Sequence, residues 1–167
     1  MNSLVTGPNA LSQWYDLVKM AEKASIIELP EDVENYLVFL LIHFTNRPEV
    51  AINALGESYL EGLAQHLKAR QVSLKDVGDQ CLLISGLFPS RALKRRVKIS
   101  YFVKLGQNAY TALSQSATKE TIFNLYEGLS ERFVAMMDLL QTMHNINIPY
   151  LPGLSPLEAY ELWNDTN

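Results

Sequence analysis

The feature that most constrains the fold of this chain is an apolar repeat between residues 119 and 144. Its members follow one another at alternating steps of four and three residues: Ile122, Tyr126, Leu129, Phe133, Met136, Leu140 and Met143. This spacing places the side chains along one side of an α-helix, and other helices must cover that side. Phe123, Met137 and Leu139 widen the stripe beyond the seam of a two-stranded coiled coil. The repeat therefore predicts the longest helix of a bundle.

The rest of the chain shows helical periodicity and no convincing strand alternation. Pro30 suits a first helical position, and Glu31, Asp32 and Glu34 suit the positive end of a helix dipole. The patterns predict helices at about 10–24, 30–46, 48–69, 73–86, 100–116 and 119–144, and a short helix at 157–163. The expected fold class is all-α, an irregular or orthogonal bundle of six to seven helices in a single domain, 1–167.

The composition is that of a soluble globular protein. Of the 167 residues, 48% are hydrophobic and 19% are charged, which is far from the profile of a disordered chain. The longest uninterrupted apolar run, residues 36–42, is much shorter than the roughly 20 residues of a membrane-spanning helix. Cys81 has no second cysteine to pair with, and the N-terminus shows no secretory signal. We therefore expect a cytoplasmic protein without a membrane partner.

Sequence motifs that would indicate an enzyme or a cofactor are missing. No glycine arrangement fits a P-loop or a dinucleotide-binding turn, and no HExxH, paired CxxC or GxSxG motif occurs. None of the three histidines follows a glutamate by three residues, as the ligands of helical di-iron proteins do. We therefore expect no catalytic residues, no metal site and no cofactor.

Single residues that could serve catalysis have more ordinary interpretations. His43 lies in a predicted helix that is apolar on nearly all sides, where a core or interface histidine is expected. Cys81 and the methionines at 136–137 are interpreted as core side chains. An alternative is an enzyme whose site is assembled from separate helices, for example around His43, Asp79 and Arg91, and the sequence leaves it open.

The most informative local feature is a basic segment between two predicted helices. Between residues 91 and 98 there are five cations and no acidic residue: Arg91, Lys94, Arg95, Arg96 and Lys98. Such a density of positive charge repels itself unless an anion is near. In one interpretation the segment is simply solvated, or acidic residues neutralise it. These acidic residues would belong to the helix at 119–144 or to a neighbouring subunit. The other is contact with phosphate, which both arginine side chains and helix N-termini bind.

The helix that follows the basic segment extends this predicted anion-binding or partner-binding surface. Tyr101 and Lys104 join the five cations in it, and Gln107, Asn108 and Thr111 have side chains able to read base edges. The pI of about 5.4, however, is far below that of typical nucleic-acid-binding domains. Binding of nucleic acid or a phosphate-containing ligand through 91–98 and 100–116 is therefore the second hypothesis for the function.

One stretch, residues 86–110, is similar to known sequences. The matching residues are Gly86, Leu87, Phe88, Pro89, Arg95, Arg96, Val97, Ser100, Tyr101, Phe102, Gly106, Ala109 and Tyr110. This pattern resembles a group of small uncharacterised bacterial proteins. The resemblance implies a bacterial cytosolic setting and a joint role for Arg95, Arg96 and Tyr101, and it contributes no catalytic residues.

The segment at 146–156 carries three prolines and cannot form a regular helix, yet it is apolar. We expect it to pack as an arm whose protein-contact residues are Ile148, Tyr150 and Leu151. This arm, the apolar helix at 30–46 and the missing catalytic motifs favour a non-enzymatic helical interaction module that self-associates. The expected partner is a second copy of the chain, giving a homodimer, or another protein.

Overall fold

A computed structural model describes residues 8–46, 67–89 and 98–145. In these ranges the chain is all-helical and contains no strand, which confirms the predicted fold class at that level. The described residues form six helices: α1 (Pro8–Ser25), α2 (Glu31–Asn46), α3 (Leu67–Leu87), α4 (Ile99–Gln115), α5 (Glu120–Glu131) and α6 (Phe133–Asn145). They fall into two compact units, 8–46 with 138–145 and 67–89 with 98–137. The single domain and the bundle arrangement stay predictions.

The bounds of α1, α2 and α4 agree with the prediction to within about two residues, which is the usual uncertainty of helix ends. Helix α3 extends further towards its N-terminus than expected. It includes Leu67, whereas the sequence predicted a start near Ser73. Most of the helix predicted at 48–69, the apolar arm at 146–156 and the short helix at 157–163 lie outside the described residues.

The prediction of one unbroken helix at 119–144 is wrong, because the chain leaves helical geometry at Arg132. This residue has φ −100° and ψ 16° and separates α5 from α6. Just before it, Ser130 is bound to α4: its hydroxyl donates to the Gln107 carbonyl at 3.1 Å, and its carbonyl accepts from the Gln107 amide at 3.3 Å. Side-chain bonds to a helix carbonyl compete with the regular backbone ladder and bend helices. We attribute the break to this contact.

The apolar repeat is buried only in its C-terminal part. The buried members are Leu129, Phe133, Met136, Leu140 and Met143. Tyr126 is half-buried, and Ile122 is exposed together with its neighbour Phe123. The first turn of α5 therefore presents apolar side chains to solvent.

The core of the second unit depends on two close helix contacts at glycines. Helix α3 packs against α4, and α4 packs against α5. A Cβ atom at Gly78 would lie 2.5 Å from the ring of Tyr110, and one at Gly106 would overlap the ring of Phe133. Both rings are completely buried and have no room to move. Glycine at these two positions thus allows the aromatic rings to lie directly on the backbone of a helix.

In the first unit, α1 packs against α2. Trp14 and Val18 of α1 are buried, as are Leu37 and Leu41 of α2. The other side of α2 faces solvent, where Phe39 is 59% exposed and His43 is also exposed. His43 is therefore not a core histidine, because the apolar body of α2 is covered on one side only. The alternative, that His43 lies at an interface, stays a prediction.

The corner between α1 and α2 contains a strained residue. Ile26 follows the last residue of α1 and has φ 57°, the left-handed region that β-branched residues rarely adopt. The Ile27 N–H donates to the Glu22 carbonyl at 3.1 Å, the bond that closes a Schellman-type helix end. Glycine is usual at this position, yet here the side chain is an isoleucine that is 93% exposed.

Replacing Ile26 by glycine is expected to stabilise the protein by about 1 kcal/mol, because left-handed geometry costs a residue with a Cβ atom roughly 1–2 kcal/mol. Little burial is lost, since the side chain is exposed. The free energy of unfolding is measured by urea denaturation. Ile26→Ala is the control, because it removes the same apolar surface and keeps the Cβ atom. Equal stability of the two variants would contradict backbone strain at this residue.

Candidate interaction surface

Three of the residues predicted to bind an anion or a partner are described by the structure, and all three lie at the start of α4. Lys98, Tyr101 and Lys104 are exposed, and we call them the basic surface. They are spaced three residues apart, so that neighbours in this series lie on the same side of the helix. The remaining predicted residues, Arg91, Lys94, Arg95, Arg96, Ile148, Tyr150 and Leu151, lie outside the described residues.

The N-terminus of α4 lies within the basic surface. Lys98 is the N-cap residue, and its side chain makes no capping hydrogen bond to the helix. The first turn contains no acidic residue. The ring of Tyr101 contacts the buried Phe102 edge-on at 5.6 Å between centroids, while 48% of Tyr101 remains exposed. The basic surface therefore combines two ammonium groups, an aromatic ring and the positive end of a helix dipole.

Two of the polar side chains predicted to read base edges instead join α4 to α5. Gln107 bonds the backbone of Ser130, and the Thr111 hydroxyl lies 2.8 Å from the Ser130 hydroxyl. Lys104 and Asn108 do not take part in this contact. The polar surface of α4 that is free for a ligand is thus smaller than the sequence suggested, because half of it is used in helix packing.

Helix α5 carries a line of negative charge in the same unit. Glu120, Glu127 and Glu131 are exposed, and steps of seven and four residues place them on one side of the helix. We call these three residues the acidic stripe. Their spacing is visible in the sequence, whereas their common exposure depends on how α5 packs against α4.

The basic surface and the acidic stripe do not neutralise each other within the described part of the chain. The two ion pairs found there join Lys19 to Glu34 and Lys75 to Asp79. Neither of them includes a lysine of the basic surface or a glutamate of the acidic stripe. Among the described residues, Lys98 therefore forms no ion pair with an acidic residue of α5 or α6. The interpretation that acidic residues of the helix at 119–144 neutralise the segment 91–98 stays a prediction, because 91–97 lie outside the described residues.

A buried polar cluster lies in the core of the second unit. Asp79 of α3 is only 4% exposed and accepts a hydrogen bond from the Tyr110 hydroxyl at 2.7 Å. The Lys75 ammonium lies 2.9 Å from the second carboxylate oxygen. Burial acts to lower the pKa of Lys75, but the charge and the hydrogen bond of Asp79, together with smaller effects of Tyr126 and Asp76, raise that pKa above its usual value. Tyr126 stacks on Tyr110 at 6.4 Å, and burial raises the pKa of Tyr126.

The chemistry of this cluster is structural. Both oxygens of Asp79 accept hydrogen bonds from neighbours, so neither is directed at a substrate. Cys81 is completely buried, as the sequence predicted, and burial raises the pKa of its thiol, which opposes a nucleophilic role. His43 lies in the first unit, and Arg91 lies outside the described residues. In 8–46, 67–89 and 98–145, no three His, Cys, Asp or Glu side chains group as metal ligands.

No described helix has the length and the apolar character needed to cross a membrane. No protein-family model, curated protein or solved structure matches the chain. The resemblance to the group of small bacterial proteins stays a prediction. The function is consequently inferred from the surfaces and clusters of this chain alone.

Replacing Tyr110 by phenylalanine is expected to lower the free energy of unfolding by about 1.5–3 kcal/mol, because a buried carboxylate loses a hydrogen-bond donor. Denaturation by urea measures the change. Tyr101→Phe is the matched control, since it removes the same hydroxyl from an exposed position of the same helix. The control should change stability by less than about 0.5 kcal/mol. Equal effects of the two substitutions would contradict a structural role for the Tyr110 hydroxyl.

Proposed function

We propose that this protein is a non-enzymatic helical interaction module that self-associates through surfaces of opposite charge. The basic surface of one copy contacts the acidic stripe of a second copy. One observation carries the proposal: both surfaces are exposed, and neither forms an ion pair within the described residues. Charged groups arranged in this way attract a complementary partner and fix its orientation.

A second copy of the chain is the partner that fits both surfaces. The two surfaces lie on one unit of one chain, so every copy presents both signs of charge. In a two-fold symmetric dimer each copy contributes both surfaces, and the same contact forms twice. Four further cations, Arg91, Lys94, Arg95 and Arg96, directly precede the basic surface in the sequence.

Apolar contacts supplement the charges in this proposal. An exposed ion pair contributes only about 0–1 kcal/mol, and a specific interface buries roughly 1,000 Å² or more. Ile122 and Phe123 are exposed on α5, the helix of the acidic stripe, and Tyr101 is exposed within the basic surface. In protein interfaces a few side chains, often tyrosine, tryptophan or arginine, provide most of the binding energy. The charges then orient the contact, and these side chains stabilise it.

Charge reversal tests the proposal directly. We expect the wild-type protein to be a dimer in size exclusion with light scattering at low salt, and to dissociate as salt screens the charges. Lys98→Glu with Lys104→Glu makes one surface acidic, and Glu127→Lys with Glu131→Lys makes the other basic. Each double variant alone should be mainly monomeric, because surfaces of like charge meet. An equimolar mixture of the two should recover the dimer.

The control for charge reversal is Asp16→Lys, which reverses an exposed charge of α1 in the first unit. It should leave the association unchanged. A wild-type protein that is monomeric at low salt would refute the proposal. A dimer that all the variants retain would show that other residues form the interface.

A second candidate function is binding of nucleic acid or a phosphate-containing ligand by the basic surface together with the segment 91–98. The N-terminus of α4, which has no acidic residue in its first turn, favours this function. With a pool of short DNA and RNA, binding should weaken steeply as salt rises. It should also be lost in the Lys98→Glu, Lys104→Glu variant. The Glu127→Lys, Glu131→Lys variant should keep it, which separates this function from self-association.

A further inference from the structure

Two carboxyl side chains from neighbouring helices are buried together in the first unit. Glu22 of α1 is 7% exposed and Glu34 of α2 is 5% exposed. The Lys19 ammonium lies 2.8 Å from one oxygen of Glu34. The Leu29 N–H donates to Glu22 Oε2 at 3.3 Å. Glutamate is rarely buried unless it is paired, and here two glutamates share one lysine.

The hydrogen-bond pattern shows where a proton is needed. Glu22 Oε1 is completely buried, and it has no conventional donor within hydrogen-bond distance in the described residues. The carboxyl of Glu34 lies within hydrogen-bonding reach of the Glu22 carboxyl. Two ionised carboxylates have only acceptor atoms and repel each other, whereas a protonated carboxyl donates a hydrogen bond. The contact is favourable only if one of the two carries a proton.

We propose that Glu22 and Glu34 share one proton in the native protein, with Glu22 as its carrier, and that loss of this proton weakens the packing of α1 against α2. In the protonated form, the Glu22 carboxyl donates to the Glu34 carboxylate, which also binds Lys19. In the deprotonated form, two negative charges meet in a buried site, and the Lys19 ammonium that binds Glu34 belongs to a side chain that is 61% exposed. The α1–α2 pair is therefore a pH-responsive element.

The electrostatics of the site agree with this assignment. Burial and the hydrogen bond with Glu34 raise the pKa of Glu22 to about 7. Burial also acts to raise the pKa of Glu34, but its hydrogen bonds with Glu22 and Lys19 lower that pKa below the usual value. The hydrogen bond with Glu34 raises the pKa of Lys19. The proton therefore resides on Glu22 below neutral pH, while Glu34 stays ionised.

In the described part of this unit, the other charged and titratable acidic, basic and histidine groups are exposed to solvent. They are Asp16 and Lys23 of α1, Glu28 of the connecting segment, Glu31, Asp32 and His43 of α2, and Asp138 and His144 in the part of α6 that belongs to this unit. Solvent and salt screen exposed charges, so these groups have a smaller effect on the buried pair. Glu22, Glu34 and Lys19 therefore determine the response.

The direction of the pH dependence follows from the two carboxyl groups. Between pH 4.5 and about 7 the native protein keeps a proton on Glu22 that the unfolded chain has lost. The stabilisation from Glu22 is thus complete below pH 4.5 and is lost as the pH rises to about 7. The ionised Glu34 acts in the opposite direction, because its stabilisation is lost in acid as the pH falls through its lowered pKa. Together they make the native state most favourable in mild acid.

The site acts on the corner that holds Ile26. Glu22 binds this corner twice, through its backbone carbonyl to Ile27 and through its side chain to Leu29. A change in the charge of Glu22 therefore reaches the one residue of the corner that is both exposed and left-handed. The pH response is expected at the connection between α1 and α2 and not in the second unit.

Thermal unfolding between pH 5 and pH 8 tests the proposal. For the wild-type protein, the ratio of native to unfolded molecules should fall roughly ten- to a hundredfold over this range relative to Glu22→Gln. The amide introduced by Glu22→Gln donates an N–H to Glu34 at every pH, and thus replaces the protonated carboxyl. We expect Glu22→Gln to have a Tm roughly 3–10 °C above the wild type at pH 8 and a similar Tm at pH 5. Glu28→Gln, the matched control at an exposed glutamate, should follow the wild type.

Infrared spectroscopy of the native protein provides a second measurement that does not depend on the stability of a variant. The C=O stretch of a protonated carboxyl should be present in wild type and Glu28→Gln at pH 6, and it should disappear as the pH rises above 7. Glu22→Gln should lack this band. Absence of the band from the wild type at pH 6, or equal pH dependence of Tm in the wild type and Glu22→Gln, would overturn the proposal.

Discussion

The second unit of this protein is organised around the side chain of Tyr110. Its ring lies directly on the backbone of α3 at Gly78. Its hydroxyl donates a hydrogen bond to Asp79, the next residue of α3. The same ring stacks on Tyr126 of α5 and contacts Phe133 of α6 at 6.1 Å between centroids. One buried tyrosine thus sets the distance between α3 and α4 and provides the surface for two further aromatic residues. A buried polar contact of this kind permits one arrangement of the helices, because only one places the hydroxyl on the carboxylate.

Much of the secondary structure follows from local patterns. The periodicity of α1, α2 and α4 and the acidic first turn of α2 predicted these helices to within about two residues. The break at Arg132 and the exposure of His43 were not predictable in the same way. Periodicity records which residues are apolar, whereas the break depends on bonds between Ser130 and Gln107 that are distant in sequence. In the same way, the exposure of His43 depends on how much of α2 is covered by other elements.

The candidate sites show the same limit. Lys98, Tyr101 and Lys104 are exposed. For the two lysines this follows from the sequence, because burying several unpaired cations together costs too much free energy. The Glu22–Glu34 pair was missed, because Glu34 was interpreted only as a favourable charge at the start of α2. The packing of α1 turns this carboxyl towards Glu22 and Lys19. Charges that meet across two helices are visible only once the register of those helices is known.

The bonds among Gln107, Thr111 and Ser130 have a consequence for the size of an assembly. They fix the angle between α4 and α5, and therefore the direction in which the basic surface points relative to the acidic stripe. When one chain carries both halves of a contact, this angle decides whether successive copies close into a ring or continue as an open filament. In a self-associating protein of this kind, three side chains between α4 and α5 would set the number of copies, although none of them belongs to the proposed interface.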